Sequence, residues 1–159
     1  MKLIISAILI FLTSCVTAQP GDEKEILQVI RNVFKAMKTN DSTLLKTCFT
    51  TRPQTFTVFR NKEGESQLKA GDFQRFVEAV GRPKERTWNE PIWNEQVQID
   101  GDLAAVWTDY AFYLDDQFSH CGVDAFHLVR QKGQWKIFHL TDTRRKENCD
   151  IPKEISEKY

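Results

Sequence analysis

Between positions 23 and 38, apolar residues recur at three- and four-residue steps: Ile26, Val29, Ile30, Val33, Phe34 and Met37. That period lays them in one stripe along an α-helix and leaves the polar back to water. Asp22 stands where it can cap the first turn, and Glu23 and Glu25 complement the helix dipole. Asn40-Asp41 ends the helix. Asp41 or Ser42 then starts a short second one to about position 49, with Leu44, Leu45 and Cys48 inward. Residues 55–60, rich in Thr, Phe and Val, read as a strand, followed by a turn at 62–64. A third helix is expected over 72–80, with Phe73, Phe76, Val77 and Val80 on one side and Gly81-Arg82-Pro83 as its stop.

From position 85 the helical period gives way to strand-like runs at 85–90, 92–99, 103–114, 118–130 and 134–145. Pro91 cannot donate to a ladder, so a bend or bulge is expected there. Asp100-Gly101, Asp115-Asp116 and Lys132-Gly133 are suited to tight hairpin turns. Two helices, a strand, a third helix and an antiparallel meander define an α+β domain, its curved sheet wrapped around the first helix. No repeat or linker divides the chain, so one domain over 22–147 is expected, with a tail at 148–159.

Composition then removes some functions. The 22 basic and 22 acidic residues balance, with no basic block, which argues against nucleic acid as a partner. At the amino end, Lys2 precedes an apolar run over 3–12 that is too short to span a bilayer but suits a signal peptide over 1–18. Val16-Thr17-Ala18 offers a cleavage site before Gln19. Leu12-Thr13-Ser14-Cys15 instead resembles a lipobox, and lipid on Cys15 is the one route to a membrane. Either reading puts the domain in the periplasm or outside the cell. Asn40-Asp41-Ser42 is formally a glycosylation sequon, though a turn and a cap already explain it. Cys48, Cys121 and Cys149 show no zinc spacing. Cys121 and Cys149 can bridge if the tail folds back over the hairpin; otherwise all three are buried, unreactive thiols.

Candidate chemistry concentrates in 118–146, which holds His120, His127 and His139. If Lys132-Gly133 and Asp115-Asp116 are two-residue turns, register follows by counting. Phe126 then faces His139, Asp124 faces Thr141 and Trp107, and His120 faces Arg145. This places Trp107, Asp109, His120, Asp124, Phe126, His139, Thr141 and Arg145 on one face, joined by Leu103, Leu128, Trp135 and Ile137. Val106, Tyr110, Phe112, Val123, Ala125, Val129, Phe138 and Leu140 take the other. The first face is apolar with a few convergent polar groups, the usual form of a small-molecule site, and the second is free for a dimer contact. A one-residue bulge in either hairpin would undo this assignment.

The segment Phe118 to Phe126, the Gly133-Gln134-Trp135-Lys136-Ile137 strand entry and Thr141-Asp142-Thr143-Arg144-Arg145 together resemble the nuclear transport factor 2-like superfamily. Within it the chain looks most like the small exported bacterial proteins called SnoaL-like or putative lumazine-binding, over about 22–147. The resemblance implies a cone-shaped α+β fold with a pocket between helices and curved sheet, often as a homodimer. It does not imply one chemistry, because the superfamily holds isomerases, dehydratases, cyclases and non-catalytic proteins.

Asp124 is the leading candidate, since a carboxyl buried mid-strand has a raised pKa that suits a general acid or base. The plainer reading is a structural acid bonded to Trp107 or Thr141. His139 could share proton transfer, or be a satisfied core histidine. His120 and Arg145 would compete as cations, and His120 is expected near the rim. His127 is expected to face away from both other histidines. A metal held by His120, Asp124 and His139 lacks tight ligand grouping, so neither metal nor other cofactor is expected. Cys121 should point away from His120 and His139, leaving no nucleophile pair. Arg144 and Arg145 offer an anion contact or a solvated strand end. The expected function is binding of a small cyclic or aromatic molecule. A cofactor-independent isomerase or dehydratase using Asp124 and His139, or a dimerising structural module, are the alternatives.

Overall fold

The computed structural model describes residues 21–159, so the expected leader, its cleavage site and the lipobox lie outside the described residues. The elements run α1 (Asp22–Thr39), α2 (Ser42–Cys48), β1 (Phe49–Arg60), β2 (Ser66–Ala70), α3 (Phe73–Gly81), β3 (Trp88–Asn89), β4 (Ile92–Asp100), β5 (Leu103–Leu114), β6 (Gln117–Gln131), β7 (Gln134–Thr143) and α4 (Lys153–Ser156). The strands form one curved, unclosed sheet in the order β2-β1-β7-β6-β5-β3, with β4 also on β5. α1 lies against its inner face. This is the expected α+β class, with one amendment. β1 runs parallel to β7, so the sheet is mixed rather than a pure meander.

α1 forms as its apolar period dictates, with Ile26, Ile30, Val33 and Ala36 sealed from solvent. Burying each large aliphatic side chain contributes about 1.5–3 kcal/mol. Asp22 is not its cap. Gly21 takes that place, and buried Asp22 pairs with Arg130 at the far end of β6. Asp41 caps α2 through a 2.8 Å bond from the Leu44 amide, and Asp72 caps α3 through Arg75. β2 was not anticipated, because its two faces are both largely exposed and it carries no alternation to read. It pairs only with β1, as an edge strand.

Lys132-Gly133 is the expected two-residue turn, with both residues at positive φ as the mirror-image hairpin geometry requires. The strands beyond it depart from simple counting. Gln131↔Gln134 through Leu128↔Ile137 keep the expected register, and then a bulge at Phe138 shifts it by one. Phe126 therefore faces Leu140, Asp124 faces Asp142, and His127 faces His139. A second bulge, at Ser119, shifts β5 against β6. Leu114↔Gln117 holds next to the turn, but Trp107 pairs with Ala125 and Thr108 with Asp124. Each extra residue reverses the faces of everything beyond it.

The tail folds back. Cys149 is bonded to Cys121, with Cα atoms 5.8 Å apart, so the free-thiol reading holds only for buried Cys48. Beyond the bond, Ile151, Ile155 and Tyr159 pack with Ala111, Tyr113 and Trp93 in a second apolar cluster, separate from the main core. Tyr159 stacks on Tyr113 at 4.7 Å.

Candidate functional site

A cavity of about 200 Å³ lies between α1, α3, β1 and the inner face of the sheet. Val33, Phe34 and Met37 of α1, Phe76 of α3 and Phe126 and Leu140 of the sheet form its apolar walls. Its polar wall is Asp124, Asp142, Glu90, Tyr110, His120 and Arg144. These six come from three neighbouring strands, the link between β3 and β4, and the residue just after β7. The register shifts are what collect them: Tyr110 on β5, His120 and Asp124 on β6, and Asp142 on β7 all point inward.

Asp142 is the best satisfied of the acids. It accepts from the Thr57 hydroxyl at 2.6 Å and from Arg144 Nε at 2.6 Å, with which it forms an ion pair. Tyr110 donates to the Thr143 carbonyl at 2.9 Å and lies 3.4 Å from Asp142 Oδ2. Gly122 makes that reach possible. It stands opposite Tyr110, and with no side chain it lets the phenol cross β6 to reach β7.

Asp124 is buried, and its Oδ2 has no hydrogen-bond partner. Burial, then the charges of Glu90 and Asp142, push its carboxyl well above the usual carboxylate range. Burial and Asp142 push Glu90 up to about 8. Burial likewise raises the Tyr110 phenol, helped by the three carboxyls. Burial and the Arg144 guanidinium push His120 down to about 4. Its ring is held between Tyr110 and Phe112, and its Nδ1 lies 3.0 Å from the Ser119 hydroxyl. The wall therefore presents two carboxyls whose protonated form burial favours, a phenol, and an imidazole whose uncharged form burial favours, beside the Asp142–Arg144 ion pair. It can donate to carbonyl or ring-nitrogen acceptors, and it can move a proton between groups of contrasting basicity.

Of the residues expected on one face, Asp124, His120 and Phe126 line the cavity. Trp107, Asp109, His139 and Thr141 lie on the outer face, and Trp107 is 52% exposed. Asp109 accepts there from Asn94 at 2.9 Å. Arg145 bridges back to Cys121 and donates to the Asn148 carbonyl; its neighbour Arg144 is the one at the cavity. Leu103 is also outside, while Leu128, Trp135 and Ile137 are buried as expected. Val106, Tyr110, Phe112 and Leu140, expected outside, turn inward. His127 does not avoid His139 but meets it, their Nδ1 atoms 3.0 Å apart. Cys121 shares the outer face with His139 yet is committed to its disulfide. Among the described residues, no group of three or more His, Cys, Asp or Glu side chains is arranged to hold a metal ion.

Residues 21–140 match the family described as "Putative lumazine-binding". The chain belongs to that family. No curated protein matches the sequence. Solved structures at low identity share the fold. A nuclear transport factor 2-like protein of unknown function from Shewanella baltica OS155 aligns with TM-score 0.60 at 16% identity, covering 82% of this chain and 99% of that one. A putative dehydratase of the nuclear transport factor 2-like family from Streptomyces avermitilis aligns at 0.59 and 13% identity, covering 80% and 99%. A putative scytalone dehydratase from Novosphingobium aromaticivorans gives 0.61 and 12%, covering 78% and 84%.

This member of the putative lumazine-binding family thus has the nuclear transport factor 2-like fold, with a polar wall in the cavity between its helices and its sheet. Glu90, Tyr110 and Asp142 were missed by sequence reasoning, and Arg144 was marked there only as a candidate anion contact. Glu90 sat in a stretch read only as strand. The other three needed the bulges, although Asp142 and Arg144 alternate in a segment already marked as distinctive.

Proposed function

We propose that this family member binds a small, uncharged cyclic or aromatic molecule in the cavity between α1, α3 and the sheet. One observation carries the reading: the buried Asp124 carboxyl has an unpartnered oxygen at a cavity whose facing walls are aromatic and aliphatic. A buried polar atom without a partner costs about 1–3 kcal/mol, and a ligand that bonds to it removes that cost. Phe34, Phe76 and Phe126 suit the faces of a flat ring. The raised pKa values of Asp124 and Glu90 favour hydrogen-bond donation to a neutral ligand over attraction of a cation.

A second reading has its own support. Glu90, held up to about 8, and His120, held down to about 4, are an acid and a base pushed apart in one cavity. That favours a cofactor-independent isomerase or dehydratase. Two of the structural neighbours are described as putative dehydratases. The disulfide, which persists in oxidising compartments, supports export of the chain. Exposed Leu103, Trp107 and Phe138 on the outer face support pairing with a second copy.

Native mass spectrometry of the purified protein, followed by titration of the recovered molecule, tests the site. Asp124→Leu should weaken binding ten- to a hundredfold, while Asp124→Asn, which keeps a neutral donor, should stay within a few-fold of wild type. Equal affinity in Asp124→Leu would remove the cavity from consideration. Turnover that collapses by orders of magnitude in Asp124→Asn while binding persists would make the protein an enzyme.

A further inference from the structure

The outer face carries a pair of side chains that the cavity does not use. His127 and His139 are register partners on β6 and β7, brought together by the bulge at Phe138. Their Nδ1 atoms are 3.0 Å apart. Two bare lone pairs repel at that distance, so in the resting pair one Nδ1 carries a proton and the other accepts it. The Thr141 hydroxyl lies 3.1 Å from His139 Nε2. As an acceptor it holds the proton on Nε2 and turns the Nδ1 lone pair of His139 toward His127. Phe138 stacks on His127 and Phe56 leans on His139, which restricts both rings. Both histidines are only half-buried, so solvent and ions reach them.

We propose that His127 and His139 form a two-imidazole chelate for a divalent transition-metal ion, with Cu²⁺ the tightest. Metal–imidazole bonds of about 2.0–2.1 Å at a right angle place two nitrogens about 2.9 Å apart, and at a tetrahedral angle about 3.3 Å. The observed 3.0 Å matches neighbouring corners of a square-planar or tetragonal ion, the geometry that Cu²⁺ and Ni²⁺ prefer among nitrogen and oxygen ligands. The affinity order of divalent ions for such sites also peaks at Cu²⁺. When the ion binds, the one proton between the rings moves from Nδ1 to Nε2 of His127. Both rings then present lone pairs and no proton is lost from a neutral pair. Nothing is oxidised or reduced. Water, or a group from a second copy on this face, fills the other positions. Thr141 acts as a positioning residue, since it orients His139 without touching the ion.

The site lies across the sheet from Asp124, so it can be tested separately from the cavity. CuCl₂ is titrated into the purified protein, followed by calorimetry and electron paramagnetic resonance. The expected result is one ion per chain with hyperfine splitting from two imidazole nitrogens. His127→Asn and His139→Asn should each lower affinity at least tenfold and remove one nitrogen from the spectrum, with circular dichroism unchanged. Thr141→Val should weaken binding about tenfold while keeping both nitrogens. NiCl₂ should follow the same order across the variants. Copper affinity unchanged in both histidine variants, or a wild-type spectrum with a single imidazole nitrogen, overturns the proposal.

Discussion

Gly122 shows how much one absent side chain can decide. A Cβ there would overlap the Thr143 carbonyl oxygen and lie 2.8 Å from the Tyr110 ring. Backbone on one side leaves it nowhere to go. Gly122→Ala should therefore cost about 3 kcal/mol or more in chemical denaturation and displace Tyr110 from Thr143. Glu90 makes a different kind of prediction. Its carboxyl moves from 4.5 to about 8 on folding, mainly through burial. The folded protein holds a proton there that the unfolded chain releases, so stability falls as pH rises through that window. The slope is at most about 1.4 kcal/mol per pH unit. Asp124, also raised, adds in the same sense. His120 opposes them: between 6.5 and about 4 the unfolded chain binds its proton first, so stability there rises with pH. The contributions offset below pH 6.5 and leave a fall visible between pH 6.5 and 8. Denaturation across that range should show it, and Glu90→Gln should flatten it. A flat wild-type profile would mean that Glu90 is ionised in the folded state.

At the scale of elements, α1 was legible because burial on one side leaves a period that no strand can imitate. β2 was not, since an edge strand exposed on both faces has no reason to alternate. The bulges at Ser119 and Phe138 were equally hidden. A bulge adds one residue without changing composition, and its cost is decided by the sheet around it. The tail is an element held from outside itself. α4 is only one turn long and is too short to be stable alone. The Cys121–Cys149 bond, closing 28 residues, and the Tyr113–Tyr159 stack hold it to the sheet. Replacing both cysteines with alanine should lower stability by about 3–4 kcal/mol and open 150–159 to proteolysis. Intact protection of that segment in the double variant would show that packing alone holds it.

Across the whole molecule, Arg130 ties the start of the first helix to the end of the longest hairpin. It pairs with Asp22, lies 3.2 Å from Asp102, and stacks over Trp135 at 4.6 Å. The partners are far apart in sequence, so the contact joins the chain only after both layers have formed. Arg130→Ala should cost about 3 kcal/mol by removing the guanidinium that pairs with the buried Asp22 carboxylate. The double variant with Asp22→Ala should cost less than the sum of the singles, and strict additivity would deny the coupling. By itself the sequence determined the elements with a strong local period, the hairpin turns at Asp115-Asp116 and Lys132-Gly133, and the α+β class. Each of these rests on neighbours within a few residues. Tertiary structure decided the faces. Two single-residue bulges sent Trp107, His139 and Thr141 outward, drew Tyr110, Asp142 and Arg144 inward, and joined His127 to His139. Strand alternation has a period of two, so one extra residue inverts a site, and only the packed sheet determines where that residue goes.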